Sequence, residues 1–180
     1  MSAPKRLLIV AGSDSSGGAG IQADIKTATA FGVYAMTAIT AVTVQNTKGV
    51  KAIHSVPPAI VAEQIAATLS DIGADAIKIG MLGSAAIVKA VAAALRKHAR
   101  KIPIVLDPVM VSTSGSRLLA PNAVAAMTKD LFPLATLVTP NIPEAKALVH
   151  LKSAKRDDAE AAARKLIALG AQAALIKGGH

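Results

Sequence analysis

Short, nearly all-apolar runs alternate with longer stretches at helical spacing along the whole 180-residue chain, and this alternation restricts the fold more than any other feature. The strand-like runs are Leu7–Ala11, Met36–Val44, Val50–Val56, Ala76–Ile79, Ile104–Leu106, Thr136–Val138 and Ala173–Ile176. Between them the spacing predicts helices over Gly20–Gly32, Pro58–Ile72, Ala85–Arg100, Asn122–Leu131, Pro143–His150 and Asp157–Leu169. A strand apolar on both sides of its pleat must be covered on both faces, and parallel strands need long crossovers to join them. The expected architecture is therefore α/β: a three-layer sandwich with a largely parallel central sheet, in one domain over residues 1–180. Aromatic residues make up only 2% of the chain, so alanine, valine, leucine and isoleucine must fill the core, which suits close packing of helices on a sheet.

Several function classes drop out on composition. No run reaches the eighteen or so apolar residues of a membrane span, and "MSAPKR" passes into the first strand without a signal-peptide pattern, so the expectation is a cytoplasmic protein with no membrane partner. The absence of cysteine removes disulfides and thiolate zinc sites. His54, His98, His150 and His180 show no ligand spacing, which leaves magnesium carried in by a nucleotide as the metal to expect. Twenty Lys and Arg against eleven Asp and Glu give a formal charge of +9, but they are spread along the chain and almost no aromatics accompany them to stack on bases. The charge reads as a field for phosphorylated small molecules, or simply as a solvated surface, with no nucleic-acid partner.

In an open parallel sheet, ligands bind beyond the carboxyl ends of the strands. The first exit, "GSDSSGGAGIQAD" from Gly12, leads from strand to helix with backbone amides available at close range to a small polar ligand; a tight turn with no ligand explains the same residues. It is not a Walker A loop, because no Lys-Ser or Lys-Thr follows the glycines. A dinucleotide-binding reading of Gly18, Gly20 and Ala23 fails further on, since no acidic residue lies between Asp24 and Glu63 to hold a ribose. Gln45 and Asn46 end the second strand with an amide that can pair with the edge of a heterocycle, or form a solvent-facing turn. Met81 in "GMLG" and Val109 are candidate apolar walls for a flat ring, or plain core. In "LDPVM" a proline enforces the exit after Asp107, presenting one carboxylate to a cleft or serving only the turn. "TPNIPEA" sets Asn141 and Glu144 three apart at a helix start, suited to magnesium, water and phosphate, although capping alone accounts for Asn141. "KGGH" sets Lys177 beside flexible backbone, a combination that fits polyphosphate.

Taken in order, "GSDSSGGAGIQAD", "TAVTVQNTKGV", "KIGMLG", "VLDPVM", "TPNIPEA" and "KGGH" resemble the hydroxymethylpyrimidine/phosphomethylpyrimidine kinases of thiamine biosynthesis, in the ribokinase-like superfamily. The resemblance runs the length of the chain. It implies phosphorylation of 4-amino-5-hydroxymethyl-2-methylpyrimidine and then of its monophosphate, with ATP and Mg2+. It further implies that Gly12, Ala19 and Asp24 line the pyrimidine pocket, that Gln45 hydrogen-bonds the ring, and that Met81 and Val109 sandwich it. Asn141 and Glu144 would organise magnesium and its waters, Glu144 through a water, with Lys177 and Asp107 near the transferring phosphoryl group.

The chain also departs from the family. Members usually continue past "KGGH" into a G-T-G-C segment at a helix start, whose cysteine acts as base and whose amides hold the γ-phosphate; this sequence has no cysteine. The expectation is a chain incomplete at its C-terminal side relative to the family, binding weakly and turning over little by itself, and a homodimer when complete. Two other readings stay open: a pyridoxal or pyridoxine kinase of the same superfamily, and a non-catalytic pyrimidine-binding module.

Overall fold

The computed structural model describes residues 3–110, 118–149 and 158–178. Its elements follow the apolar pattern: β1 (Arg6–Asp14), α1 (Gly20–Ala30), β2 (Tyr34–Asn46), β3 (Gly49–Ser55), α2 (Pro58–Asp71), β4 (Ala76–Ile79), α3 (Ala85–His98), β5 (Ile104–Leu106), α4 (Pro121–Asp130), β6 (Leu137–Val138), α5 (Ile142–Val149) and α6 (Asp158–Ala168). Of the sequence expectations, the Val111–Gly115 part of the exit after Asp107, His150, the turn from Ser153 through Asp157 and the terminal Gly179–His180 lie outside the described residues.

Six strands form one sheet in the order β3-β2-β1-β4-β5-β6. All neighbours pair parallel except β2 and β3, which form an antiparallel hairpin across Thr47 and Lys48. The fold is α/β with a mostly parallel sheet, as the alternation requires. One expected strand is broken. Ala173–Ile176 makes only isolated bridges, Val138 with Ala174 and Asn141 with Lys177, although Leu175 N donates to Val138 O and Lys177 N to Pro140 O, both at 2.9 Å. Pro140 sits where the next ladder donor belongs and has no N–H to give, so the pairing cannot run on as a continuous strand.

The chain steps from β1 to β2 in one direction and from β4 to β6 in the other, so the order reverses between β1 and β4. Right-handed crossovers then put α1 on one face and the later helices on the opposite one. The larger core fits this arrangement: Leu8, Val10, Ile77, Ile79, Leu106 and Val138 form a fully buried face with α2 to α6 packed on it. The smaller core joins Ile9 and Ala11 of β1 to Ile21 of α1. α3 is set by Ser84, whose Oγ accepts from Ile87 N at 3.3 Å, and by Arg96, Lys97 and His98, which favour the negative end of its dipole. A reversal of strand order of this kind opens a crevice at the carboxyl ends of the strands, here beyond Ala11, Gly80 and Asp107.

Candidate functional site

The β1–α1 loop is organised by a residue the motif reading did not single out. The Asp14 carboxylate, 3% exposed, accepts from Ser16 N at 2.9 Å, Ser16 Oγ at 2.8 Å, Gly18 N at 3.1 Å and Ala19 N at 2.8 Å. Burial pushes its pKa up, but these hydrogen bonds outweigh burial and hold it below the ordinary carboxylate value. The expectation of unpaired amides facing a ligand is thereby corrected at three positions: the loop already holds an anion, and it is its own. Gln22 locks the turn, with Oε1 accepting from Asp14 N at 2.8 Å and Nε2 donating to Ser13 Oγ at 2.7 Å. At Gly20, φ is +56° and a Cβ would collide with the carbonyl oxygen of Gly12, so only glycine lets the helix start this close to β1.

β2 carries the next wall. A register shift between Ala11 and Ser13 carries β1 on to pair Ser13 with Val42 and Asp14 with Thr43, which brings the glycine loop beside the end of β2. Ser15 Oγ donates to Gln45 O at 2.8 Å and accepts from Gln45 N at 2.9 Å, while Thr43 Oγ1 donates to Ser13 O at 3.0 Å. The Gln45 backbone is therefore clamped. Among the described residues its side-chain Oε1 has only a 3.3 Å contact with Thr43 Oγ1, whose single proton is better used on Ser13, so the amide can serve a ligand. Met81 is held through its carbonyl, which accepts from the fully buried Thr40 hydroxyl at 2.7 Å, and its sulfur lies 3.2 Å from where a Gly12 side chain would begin.

These residues converge on a cavity of about 430 Å³ lined by Gly12, Ala19, Asp24, Gln45, Met81, Asp107 and Val109, among others. A larger depression of 640 Å³ lies at the amino ends of β5 and β6, among Arg96, Arg100, Ile102, Pro133 and Leu134. No carboxylate lines it and no motif points to it, so volume alone does not identify the site.

Beside the Asp107 wall of the cavity, Lys177 Nζ donates to Asp107 Oδ1 at 2.8 Å, joining the exit of β5 to the segment paired with β6. Asn141 and Glu144 form a reciprocal cap at the start of α5: Glu144 N donates to Asn141 Oδ1 at 2.8 Å and Asn141 N donates to Glu144 Oε2 at 2.9 Å. Glu144 Oε1 also accepts from Met110 N at 3.3 Å, which ties α5 to the exit of β5. Burial is the largest influence on Glu144 and raises its pKa; the Asn141 and Met110 amides and Lys177 oppose, and the Asp107 charge adds to the rise. Gln45 and Glu144 thus stand at the same end of the sheet, four strand spacings apart, or roughly 19 Å.

Among the described residues no cluster of three or more His, Cys, Asp or Glu side chains could hold a metal. Asp107 and Glu144 are two carboxylates of different availability: Asp107 Oδ1 is shared with Lys177, and each oxygen of Glu144 already takes a backbone N–H. Such a set fits magnesium that arrives bound to phosphates and keeps its waters. Sequence reasoning missed Asp14, Ser15, Thr43 and Lys78. Only Lys78 left a plain signal, as a lysine inside the otherwise apolar "AIKI" of β4.

The family model described as phosphomethylpyrimidine kinase matches residues 14–180. The hydroxymethylpyrimidine/phosphomethylpyrimidine kinase of Mycobacterium tuberculosis is 54% identical over 177 residues, 98% of this chain and 64% of the relative. A crystal structure of phosphomethylpyrimidine kinase from Clostridium difficile superposes with a TM-score of 0.90 at 46% identity, covering 98% of this chain and 76% of that one. The pyridoxal kinase from Staphylococcus aureus, in complex with AMP-PCP and pyridoxal, superposes with a TM-score of 0.86 at 39% identity, covering 99% of this chain and 64% of that one. The chain thus spans about 64% of the length of the mycobacterial kinase. A family match over all but the first thirteen residues, joined to a sheet whose exits carry five of the six motifs, makes the chain a member of the phosphomethylpyrimidine kinase family.

Proposed function

We propose that the chain forms the substrate-binding and phosphate-positioning part of an ATP-dependent kinase that phosphorylates the hydroxymethyl group of 4-amino-5-hydroxymethyl-2-methylpyrimidine, and then its monophosphate. The observation that carries this reading is a cavity whose lining carboxylate Asp107 is bonded by Lys177 from outside it, so that the site has two chemically different ends. One end, with Gly12, Ala19, Met81 and Val109 around it and Asp24 and Gln45 as polar groups, suits a flat heterocycle. The other end offers Lys177, which keeps two N–H donors after bonding Asp107 and can meet phosphate oxygens there.

In the proposed reaction an oxygen–phosphorus bond forms from the substrate hydroxyl to the γ-phosphorus as the bond to the ADP oxygen breaks. Phosphoryl transfer asks a protein mainly for alignment and charge neutralisation. Gln45 and Asp24 orient the ring, Met81 and Val109 hold its faces, and Lys177, itself held by Asp107, offsets charge on the transferring group. The reciprocal cap of Asn141 and Glu144 fixes the loop beneath the phosphates and has lone pairs left for a water of magnesium, which when bound would neutralise the triphosphate. The acid–base group that takes the hydroxyl proton is not among these residues.

Phosphotransfer from ATP to the pyrimidine tests the reading. Transfer that falls at least about 100-fold in Lys177→Met, together with weaker pyrimidine binding in Gln45→Leu, supports it. Pyrimidine binding unaltered in Gln45→Leu contradicts that contact. Pyridoxal is the second substrate to try, because the staphylococcal pyridoxal kinase shares the scaffold at 39% identity.

A further inference from the structure

Lys78 is out of keeping with its place in the sheet. β4 is a central strand, and on the α1 face the register neighbours of Lys78 are Ile9 of β1, fully buried, and Val105 of β5. An aliphatic side chain is the ordinary occupant of such a position, and lysine is among the residues least suited to burial. The Lys78 side chain is nevertheless only 25% exposed, and its Nζ lies 2.7 Å from Oδ2 of Asp24, itself 23% exposed. Asp24 stands one helical turn beyond the buried Ile21, on the side of α1 turned to the sheet. Both charged groups line the cavity beside Gly12 and Met81. Gly80 leaves room for the ammonium, since a Cβ there would lie 3.1 Å from Nζ. Among the described residues Asp24 Oδ1 accepts no hydrogen bond.

We propose that Lys78 is a positioning residue: it pins one oxygen of Asp24, so that the other is presented to the cavity as an ionised acceptor selecting heterocycles that carry an amino group beside the hydroxymethyl. The inference rests on the kinase reading above and refines its substrate class. A carboxylate with no fixed partner would turn to satisfy itself in solvent. With Oδ2 held, Oδ1 can accept from an amino N–H, whereas the exocyclic aldehyde oxygen of pyridoxal in the same place meets like charge and stays unpaired, which costs binding. The site so built favours a 4-aminopyrimidine over pyridoxal.

Calorimetric binding of 4-amino-5-hydroxymethyl-2-methylpyrimidine and of pyridoxal, measured on the wild type, Lys78→Met, Lys78→Arg, Asp24→Asn and the Lys78→Met/Asp24→Asn double variant, tests this. Lys78→Met should weaken the aminopyrimidine about 10-fold or more and pyridoxal by less than about 3-fold, and Lys78→Arg should restore most of the loss. The double variant should bind no more weakly than Asp24→Asn alone, because Lys78 acts through Asp24. A merely structural lysine would weaken both ligands alike, and its loss would add to that of Asp24→Asn; either result overturns the inference. If Lys78→Met does not fold, Lys78→Gln is read the same way. A wild type that binds neither ring overturns both this inference and the kinase reading; a wild type that prefers the aminopyrimidine, with Lys78→Met unchanged, overturns this inference alone.

Discussion

The turns from β1 to α1 and from β6 to α5 each use one carboxylate to satisfy backbone amides at a helix start, and the two carboxylates are driven in opposite directions. Asp14 takes hydrogen bonds from four donors, all in its own loop, and its pKa is lowered. Glu144 takes one from its own turn and one from the exit of another strand, beside the Asp107 charge, and its pKa is raised. Burial penalises both charges; the number of donors decides which side wins. The comparison teaches that a glycine-rich strand-to-helix loop need not be a phosphate seat. The Asp14 loop is closed on its own anion and presents a ring-sized wall. The Glu144 turn is joined across strands to the exit of β5, where Asp107 is bonded by Lys177.

The largest test of this contrast removes the internal anion. Asp14→Ala should destabilise the fold by about 3 kcal/mol, because the Ser16, Gly18 and Ala19 amides lose a charged acceptor together, and thermal melting should fall by roughly 6–12 °C. A melt within a degree of wild type would show that water replaces the carboxylate without loss. Gly20→Ala comes next. It forces a Cβ against the Gly12 carbonyl at positive φ and should cost about 2 kcal/mol in denaturant titration. Glu144→Gln should stay within about 1 kcal/mol at neutral pH, since losing a charged acceptor is offset by relief of a buried charge.

Acidity separates the two carboxylates with the smallest effect and the clearest sign. Asp14 has a folded pKa below its unfolded one, so its contribution is present above the usual aspartate range and is lost as pH falls through the folded value. Glu144 has the reverse: the folded state keeps the proton to higher pH, so stability declines as pH rises from the usual glutamate range through the folded value. Chemical denaturation across pH should therefore lose part of its acid limb in Asp14→Asn and part of its decline at higher pH in Glu144→Gln. The same limb altered in both variants would refute the assignment.

Most of the fold could be read from the chain because buried parallel strands must be apolar throughout, and each such run from Leu7 to Val138 became a strand. The strand β3 was read but its antiparallel pairing was not, although the two residues Thr47 and Lys48 between strand-like runs are the length of a hairpin link. The last strand was read too strongly, because apolar content at Ala173–Ile176 says nothing of Pro140 across the ladder. In the candidate site, the positions of Gln45 and Asp107 at strand exits were legible, because each is fixed by its own motif. Asp14 was not, since its partners are backbone amides that any sequence carries. Nor was Lys78, whose partner Asp24 lies 54 residues away.

What most separates the two turns is which of them lies beside the phosphates. Backbone 1H–15N shifts followed during titration with magnesium and a non-hydrolysable ATP analogue measure this directly. Shifts are expected at Asp107, Val109, Met110, Asn141, Ile142, Glu144 and Lys177, with Ser16, Gly18 and Ala19 unmoved until the pyrimidine is added. Nucleotide-induced shifts at Ser16, Gly18 and Ala19, with Asp107 and Lys177 silent, would contradict this expectation.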